Sequence, residues 1–229
     1  MNYVLVTSRE WNESLAKLLE EKTGHVFHLI TRTEDLSYER LQAINPRYVF
    51  FPHWSHIIPS EIHETFECVI FHMTDLPYGQ GGSPLQNLIL RGHQETQISA
   101  LRCVAELDAG PVYMKRPLSL EGSATEIFVR AADVVQEMIE EIVRTEPLPE
   151  PQNGEPTIFR RRTPEQSNLR EANLVTLKNF FDFIRMLDAP NYPLAFIEYE
   201  GFLLEFSHAQ LLDDLIEARV IIRRKDDLQ

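Results

Sequence analysis

The stretch from Val69 to Pro84 constrains the fold of this chain most, because an apolar run passes directly into a cluster of helix-breaking residues. Val69-Ile70-Phe71 predicts a buried strand, since a short apolar run bounded by turn residues is typical of a sheet covered on both faces. His72 falls where that strand should end. Three glycines and two prolines between positions 77 and 84 then predict a shaped loop without regular secondary structure. Ligands of open α/β sheets bind beyond the carboxyl ends of the strands, so His72 is well placed for chemistry.

A second turn brings an acid into a similar setting. Asp108 lies in Leu107–Pro111, a Gly/Pro turn between strand-like runs at Gln97–Val104 and Val112–Arg116. The two turns together suggest a His72–Asp108 site at the tips of neighbouring strands. Taken singly, each residue also has a structural explanation, because a histidine can cap its own loop and a turn aspartate often bonds its own backbone.

Strand-like and helical patterns alternate along the first 145 residues and predict an α/β fold with a mostly parallel sheet. After the first strand, Ser8 is a candidate helix cap and Trp11 opens the apolar face of the helix. The turn between them has no G-x-G-x-x-G, so a dinucleotide site has no support. The two strands around Asp108 lack an intervening helix, and an antiparallel or mixed part of the sheet is expected there.

The chain changes composition after residue 145. Residues 146–158 contain four prolines and predict an extended linker that joins a domain at residues 1–145 to a small C-terminal α+β extension at residues 159–229. An exposed apolar edge on this extension could serve a homodimer. The extension is predicted to contain a helix at Asn173–Leu187, a hairpin at Leu194–Phe206 that turns near Gly201, and one more strand at Arg219–Arg223.

The charge of the chain bears on its partners. With 35 acidic and 22 basic residues, the net charge is −13, whereas a protein that holds nucleic acid needs a basic face. We therefore predict no nucleic-acid partner. Arg160, Arg161 and Arg162 are three consecutive arginines, which invite an anionic ligand because guanidinium groups suit phosphate. The competing explanation is a solvated face paired with surplus acids.

Other features predict a soluble cytoplasmic protein without a metal or a membrane span. The N-terminus reads as a strand and not as a signal peptide, and no apolar run approaches the ~18 residues of a membrane helix. Cys68 and Cys103 lack the spacing of a zinc site and read as small buried residues in a reducing compartment. His53 and His56 are two potential ligands without a nearby third, so backbone-bonded loop histidines are the favoured interpretation.

Both turn-rich stretches resemble motifs of a known enzyme family. The loop H-M-T-D-L-P-Y-G-Q-G-G-S-P from His72 resembles the H-x-S-x-L-P-x-x-R-G-x-x-P loop of formyltetrahydrofolate-dependent formyltransferases. L-D-A-G-P from Leu107 resembles their L-D-x-G motif. F-R-R-R-T-P from Phe159 and N-Y-P-L-A-F from Asn191 look like the region that follows the catalytic domain in sugar N-formyltransferases. The resemblance covers most of the chain and is densest over residues 50 to 200.

This resemblance implies a Rossmann-like domain that moves a formyl group from 10-formyltetrahydrofolate to an amine without a metal. It implies catalytic roles for His72 and Asp108, whose joint occurrence in the order of the family favours a functional site. Asp108 would handle protons and orient His72. His72 would act either as the base for the amine or as a stabiliser of the oxyanion.

The chain departs from the family at two positions. The family has an Asn-x-His motif, but Ile70 stands in place of the asparagine, and Gln80 stands in place of the loop arginine. Either another polar side chain fills the place of the asparagine, with His53 and His56 as candidates, or the chain no longer catalyses. The intact motifs around His72 favour activity with a rearranged site.

The resemblance also implies where the ligands bind. Trp54 could wall a pocket for the pterin or simply pack its loop, and Gly81 is a candidate contact of the acceptor. The arginine run is the candidate contact for a nucleotide diphosphate. The other candidate contacts of the folate are Ile57, Ile58, Glu106, Leu107 and Asp108.

The pattern of motifs looks most like sugar formyltransferases of pseudaminic-acid-type pathways in bacterial surface-glycan biosynthesis. The expected acceptor is therefore the amine of a UDP-linked 4-amino-4,6-dideoxy sugar. One alternative is a methionyl-tRNA formyltransferase, which the net charge and the short C-terminal region disfavour. The other is a non-catalytic protein that binds folate or a sugar nucleotide, which only Ile70 supports.

Overall fold

The computed structural model describes residues 1–7 and 14–225, so the predicted helix cap Ser8 and the predicted apolar position Trp11 lie outside the described residues. The chain forms two compact units. Each is assembled from segments that are far apart in the sequence. The first unit comprises Met1–Gly81, Thr96–Leu118 and Val129–Ile158, and the second comprises Gly82–Glu95, Ser119–Phe128 and Phe159–Gln229.

Helices and strands alternate along most of the described residues. The helices are α1 (Leu15–Thr23), α2 (Tyr38–Ile44), α3 (Ser60–Thr65), α4 (Pro84–Leu90), α5 (Ala124–Thr145) and α6 (Leu177–Arg185). The strands are β1 (Asn2–Val6), β2 (Val26–Ile30), β3 (Val49–Phe51), β4 (Cys68–His72), β5 (Tyr78–Gly81), β6 (Glu95–Arg102), β7 (Val112–Ser119), β8 (Thr157–Phe159), β9 (Ala195–Tyr199), β10 (Phe202–Leu211) and β11 (Ile216–Arg224).

The central sheet has six strands in the order β2-β1-β3-β4-β6-β7. β1 pairs in parallel with β2 and β3, and β3 pairs in parallel with β4. β6 runs antiparallel to β4, with His72 opposite Ser99. The predicted α/β fold is therefore confirmed, including the mixed part of the sheet around the site. β5 and the short helix α4 lie between β4 and β6 along the chain, and an antiparallel pairing requires no crossover helix.

The core consists of the apolar runs that predicted the strands. Val4, Leu5, Val49, Phe50 and Val69 have no exposed surface. Removing such side chains from water stabilises the fold by about 1.5–3 kcal/mol each, before the entropy of ordering the chain is counted. The apolar runs therefore identify the strands of the central sheet correctly, because strands covered on both faces are apolar throughout.

Helix α5 shows the amphipathic face that its sequence predicts. The side chains spaced at three and four residues are buried, while the charged positions between them are mostly exposed. No helix within residues 1–7 and 14–225 combines the length and the apolar character that crossing a membrane requires. The spacing of six apolar residues predicts this face, and all of them except the half-buried Val134 are buried: Ile127, Ala131, Val134, Val135, Met138 and Ile142.

The glycine-rich loop contains a strand that its sequence did not predict. β5 pairs with β8, and the N–H of Thr157 donates to the carbonyl of Pro77 at 3.1 Å. The prediction of a loop without regular structure is therefore wrong over Tyr78–Gly81. Glycines and prolines weaken a strand locally, but pairing with a segment much later in the chain overrides that preference.

The second unit contains α6 and a three-stranded antiparallel sheet in the order β11-β10-β9. The predicted hairpin is confirmed, since Tyr199 pairs with Phe202 around Gly201. Arg185 of α6 is buried, and its Nη1 donates to the carbonyls of Leu120 and Gly122. These two hydrogen bonds from a buried guanidinium hold α6 to the segment that precedes α5.

Candidate active site

Strand β4 ends at His72, and the loop between β6 and β7 carries Asp108. Each side chain is buried, with a relative exposure of 8% for both residues. Nδ1 of His72 lies 3.5 Å from Oδ2 of Asp108. The two residues that the motifs single out therefore contact each other within the first unit, at the carboxyl end of a parallel strand.

The backbone of β5 supplies the other contacts of this pair. Nε2 of His72 lies 2.7 Å from the carbonyl oxygen of Gly79, and the N–H of Gly81 donates to Oδ2 of Asp108 at 2.9 Å. A carbonyl oxygen only accepts, so Nε2 must carry the proton in this bond. Any further proton that His72 takes up is then held on Nδ1, facing the carboxylate. Among the described residues, none hydrogen-bonds to Oδ1 of Asp108.

The turn that carries Asp108 has an unusual backbone. Asp108 has φ +54°, in the left-handed region that residues other than glycine seldom adopt. Gly110 passes so close to β6 that a Cβ there would lie 1.8 Å from the carbonyl oxygen of Arg102. The N–H of Arg102 donates to the carbonyl of Pro111 at 2.9 Å. The glycine of L-D-A-G-P is therefore required by close packing against the end of the strand.

Two glutamines, which the sequence patterns did not single out as contacts, join this turn to β5. The amide nitrogen of Gln152 donates to the carbonyls of Asp108 and Gly110 at 2.7 and 2.8 Å. The amide nitrogen of Gln80 donates to Oε1 of Gln152 at 3.1 Å. Gln152 lies in the proline-rich segment, where no periodic pattern distinguishes a residue that reaches the site.

Position 70 has no polar role in the structure. Ile70 of β4 packs against a cluster of buried residues that includes Ile58 and Ile62. The family asparagine therefore has no counterpart on β4 itself. Gln80, at the position of the family arginine, is buried and bonds to Gln152.

The loop after β3 carries several of the predicted contacts. The ring of Trp54 packs against Phe51 and against His56, with centroid distances of 6.3 and 5.0 Å. Its indole N–H is buried and has no hydrogen-bond partner among the described residues. His53 is half-buried, with φ +53°, and His56 is exposed.

The two predicted isoleucine contacts differ in exposure. Ile57 is 94% exposed, while Ile58 is 8% exposed and belongs to the core. On the loop before Asp108, Glu106 is exposed and Leu107 is 71% exposed. An exposed isoleucine and an exposed leucine are thus available to an apolar ligand, whereas Ile58 offers mainly its backbone.

The arginine run lies in the second unit, directly after β8. The N–H of Arg162 donates to Oγ of Ser83 at 3.0 Å, and the side-chain amide of Asn87 donates to the carbonyls of Gly82, Ser83 and Arg160 at 3.0 Å each. A Cβ on Gly82 would lie 2.5 Å from Cβ of Arg161. The run is therefore fastened along the glycine-rich loop by hydrogen bonds and close packing.

The guanidinium groups of this run have no acidic partners among the described residues. Within residues 1–7 and 14–225, no carboxylate forms an ion pair with Arg160, Arg161 or Arg162. Arg162 lies over the ring of Phe183, 5.5 Å from its centroid, and its Nε is buried without a hydrogen-bond partner. Burial lowers the pKa of the Arg162 guanidinium. The competing explanation, pairing with surplus acids, does not hold for the described residues.

The thiol of Cys103 is not a candidate nucleophile for this site. Burial, and then the charge of Asp108, raises the pKa of the Cys103 thiol to about 11, so this thiol is protonated at neutral pH and is a poor nucleophile. In the part of the chain that the structure describes, no three His, Cys, Asp or Glu side chains group as metal ligands. The arrangement suits proton transfer and positioning of an amine.

Comparison with known proteins identifies relatives along the whole chain. Residues 164–223 match the sequence family described as the C-terminal domain of methionyl-tRNA formyltransferase. The solved structure of methionyl-tRNA formyltransferase from Clostridium thermocellum is 45% identical, with a TM-score of 0.94, and the match covers 98% of this chain and 99% of that chain.

Two further relatives are more distant. The methionyl-tRNA formyltransferase of Methylococcus capsulatus is 30% identical over 188 residues, which are 79% of this chain and 60% of the relative. This chain thus spans about 60% of the length of that curated relative. HypX from Aquifex aeolicus, solved in complex with tetrahydrofolic acid, is 19% identical with a TM-score of 0.72, covering 90% of this chain and 37% of that one. At this identity the likeness concerns the fold alone.

These relatives correct two predictions. The expectation of a UDP-linked sugar acceptor in surface-glycan biosynthesis is wrong, because the relatives at 45% and 30% identity are named as methionyl-tRNA formyltransferases. The prediction that no nucleic acid takes part is wrong for the same reason. The resemblance to formyltransferases itself is confirmed. With 45% identity over 99% of the Clostridium thermocellum chain, this chain belongs to the formyltransferase family.

Proposed function

We propose that this chain transfers a formyl group from 10-formyltetrahydrofolate to the amino group of methionyl-tRNA. The observation that carries this proposal is the 45% identity to a methionyl-tRNA formyltransferase over nearly the full length of both chains. The buried His72–Asp108 pair supports it, because it provides a proton acceptor and a carboxylate at the tip of a strand.

In this proposal, the residues of the chain manage the protons of the attacking amine. The donor supplies the formyl carbonyl that the amine attacks. Oδ2 of Asp108 is held by the N–H of Gly81, which leaves Oδ1 to accept a hydrogen bond from the amine and orient its lone pair. His72 takes up the proton that the amine releases, and the carboxylate stabilises the resulting imidazolium. The bond between the formyl carbon and N10 of the donor then breaks, and the proton held by His72 passes to N10. The products are the formylated amine and tetrahydrofolate, and His72 is neutral again.

The loop after β3 and the loop before Asp108 form the proposed donor site. The buried indole N–H of Trp54 has no hydrogen-bond partner in the described part of the chain, which fits a flat heterocycle that offers a hydrogen-bond acceptor. Ile57 and Leu107 expose apolar surface, and Ile58, Glu106 and Asp108 contribute backbone or side-chain contacts in this proposal. Flat cofactors bind at such surfaces, which combine apolar contact with a few directional bonds.

The arginine run is the proposed contact for the phosphates of the acceptor, and Gly81 directly precedes Gly82, which packs against Arg161. A chain with net charge −13 needs a local cationic surface to hold nucleic acid. Arg160 and Arg161 are exposed and carry no ion pair among the described residues, so no acid has to be displaced before they bind phosphate. Guanidinium groups bind phosphate oxygens in a bidentate manner.

A direct assay tests the function. The protein is incubated with 10-formyltetrahydrofolate and either charged initiator methionyl-tRNA or free methionine, and formylmethionine is measured after mild hydrolysis. We expect formylation of methionyl-tRNA and none of free methionine. If the folded protein binds tetrahydrofolate but formylates no methionyl-tRNA, the proposed function is wrong, and the loss of the asparagine at position 70 becomes its explanation.

Removing two charges from the run tests the acceptor contact. In the variant Arg160→Ala/Arg161→Ala, we expect the KM for methionyl-tRNA to rise about 10-fold in 0.1 M salt, with kcat unchanged. The slope of log KM against log salt concentration should fall by about 1.4–1.8, since each phosphate contact contributes about 0.7–0.9. Formylation kinetics over a salt series measure both quantities.

A matched control separates this contact from a general effect of charge. Arg144 is an exposed arginine in the last turn of α5. Arg144→Ala should leave the salt dependence of KM unchanged. Equal salt slopes for the parent and the double variant would contradict a phosphate contact at Arg160 and Arg161.

A further inference from the structure

The amide of Gln152 bridges two parts of the candidate site. Its nitrogen donates to the carbonyls of Asp108 and Gly110, at 2.7 and 2.8 Å, while its oxygen accepts from Gln80 at 3.1 Å. One side chain thus uses both of its N–H donors and its carbonyl oxygen. Only an asparagine or glutamine side chain offers two donors and an acceptor in one plane, and glutamine has the greater reach.

The orientation of this amide follows from its neighbours. The carbonyls of Asp108 and Gly110 can only accept hydrogen bonds, so the nitrogen of Gln152 must face them. Its oxygen therefore faces Gln80, which must present its own N–H. The donor and the acceptor of each of these hydrogen bonds are therefore fixed. Reversing either amide would place an amide oxygen against another acceptor oxygen.

A short backbone pairing places Gln152 beside the turn. The N–H of Val112 donates to the carbonyl of Glu150 at 2.7 Å, and the N–H of Glu150 donates back to Val112 at 2.9 Å. Val112 begins β7, just after the Asp108 turn. Gln152 lies two residues after Glu150. The backbone pairing therefore brings its side chain close to the two carbonyls that it binds.

The hydrogen bonds close a ring around Asp108. The carbonyl of Asp108 is held by Gln152, which binds Gln80 on β5. The next residue of β5, Gly81, donates its N–H to the carboxylate of the same Asp108. The backbone and the carboxylate of Asp108 are therefore both tied to β5. Gly79 of β5 also binds His72, so this strand sets the position of both members of the pair.

The hydrogen bonds around Asp108 offset the unfavourable backbone conformation of this residue. A left-handed conformation is unfavourable at a residue other than glycine, and it persists only where neighbouring contacts hold it. The two hydrogen bonds from Gln152 hold the carbonyls of Asp108 and Gly110, which lie on either side of Ala109. Without them, the turn can relax toward a more common conformation, and the carboxylate then moves relative to His72.

We propose that Gln152 is a positioning residue, which holds the Asp108 turn at the distance from His72 that formyl transfer requires. This inference rests on the proposed formyltransferase function. The amides of Gln152 and Gln80 hold the Asp108 turn by hydrogen bonds. Ile70 of β4 cannot do this, because its side chain has no hydrogen-bonding group. Gln152 acts on the reaction through Asp108 and does not itself touch the reacting atoms.

The test replaces the amide by an apolar side chain of similar length. Gln152→Met keeps most of the packing but removes the two donors and the acceptor. We expect kcat for formylation of methionyl-tRNA to fall about 10-fold to 100-fold, since a shift of about 1 Å in a catalytic group has effects of this size. The KM for methionyl-tRNA should not change. Gln152→Glu should lower kcat further, because its carboxylate would face two carbonyls.

A spectroscopic measurement reports on the ring without turnover. The amide proton of Gly81 is bonded to a carboxylate and should resonate downfield in the parent protein. In Gln152→Met this resonance should move upfield. The control variant is Gln136→Met, which removes a half-buried amide bonded to Glu140 on α5 and should change neither kcat nor the Gly81 resonance.

The double variant Gln80→Met/Gln152→Met tests whether the two amides act as one chain. We expect it to lose no more activity than Gln152→Met alone, because coupled groups are not additive. A Gln152→Met protein with the parent kcat would overturn the inference, whether or not the Gly81 resonance moves. If the parent itself formylates no methionyl-tRNA, the proposed function fails, and an unmoved Gly81 resonance would separately overturn the role of Gln152 in holding the turn.

Discussion

Asp108→Asn is expected to lower kcat for formyl transfer about 100-fold to 10,000-fold, the range that general acid–base groups contribute. The carboxylate accepts from the N–H of Gly81 and lies 3.5 Å from Nδ1 of His72, where it stabilises a proton on the ring. An asparagine keeps the shape but removes the charge, so the imidazolium loses its partner. His72→Ala should have an effect of the same order, and both kcat values are measured by steady-state formylation of methionyl-tRNA.

Two controls define what this result means. Asp133→Asn removes an exposed carboxylate from α5 and should leave kcat unchanged. His56→Ala tests whether an exposed loop histidine fills the place of the family asparagine. A parent-like rate for Asp108→Asn would refute the His72–Asp108 mechanism, while a loss in His56→Ala as large as that in His72→Ala would assign His56 a catalytic role.

Gly110→Ala is expected to lower the free energy of unfolding by about 3 kcal/mol or more, a size that steric conflict in a packed region can produce. The added Cβ would lie 1.8 Å from the carbonyl oxygen of Arg102, a distance that no real contact reaches. The opposing atom belongs to the backbone of β6, so the turn has to move. Urea unfolding measures the loss, and any folded fraction should also have reduced formylation because Asp108 moves with the turn.

The matched control is Gly201→Ala at the hairpin between β9 and β10. A Cβ at Gly201 meets no atom within 4 Å, so this substitution should change the free energy of unfolding by less than about 1 kcal/mol. A Gly110→Ala protein as stable as the parent would show that the turn can move at little cost. The tight packing beneath Asp108 would then have no role in holding the site.

The acceptor was the part of the function that the sequence predicted wrongly. Net charge sums over the whole surface, whereas phosphate is bound by a few residues in one place. The run Arg160–Arg162 was visible in the sequence, but whether surplus acids neutralise it depends on which carboxylates lie nearby. In the described residues no carboxylate pairs with the run, so a net charge of −13 does not preclude a local cationic surface.

The sequence by itself determined the strands of the central sheet, the amphipathic face of α5 and the position of His72 at the end of β4. These features are local, because apolar runs and helical periodicity follow directly from which faces are buried. It also indicated that His72 and Asp108 belong together, through two short motifs in a fixed order.

Only the tertiary structure decided how these residues are held. The pairing of β5 with β8 and the bonds from Gln152 to the Asp108 turn join segments separated by more than forty residues. Such contacts leave no periodic pattern in the sequence, since each depends on the backbone path of both partners. In the sequence, Gln152 is therefore one polar residue among prolines. Only its hydrogen bonds to the carbonyls of Asp108 and Gly110 make it part of the site.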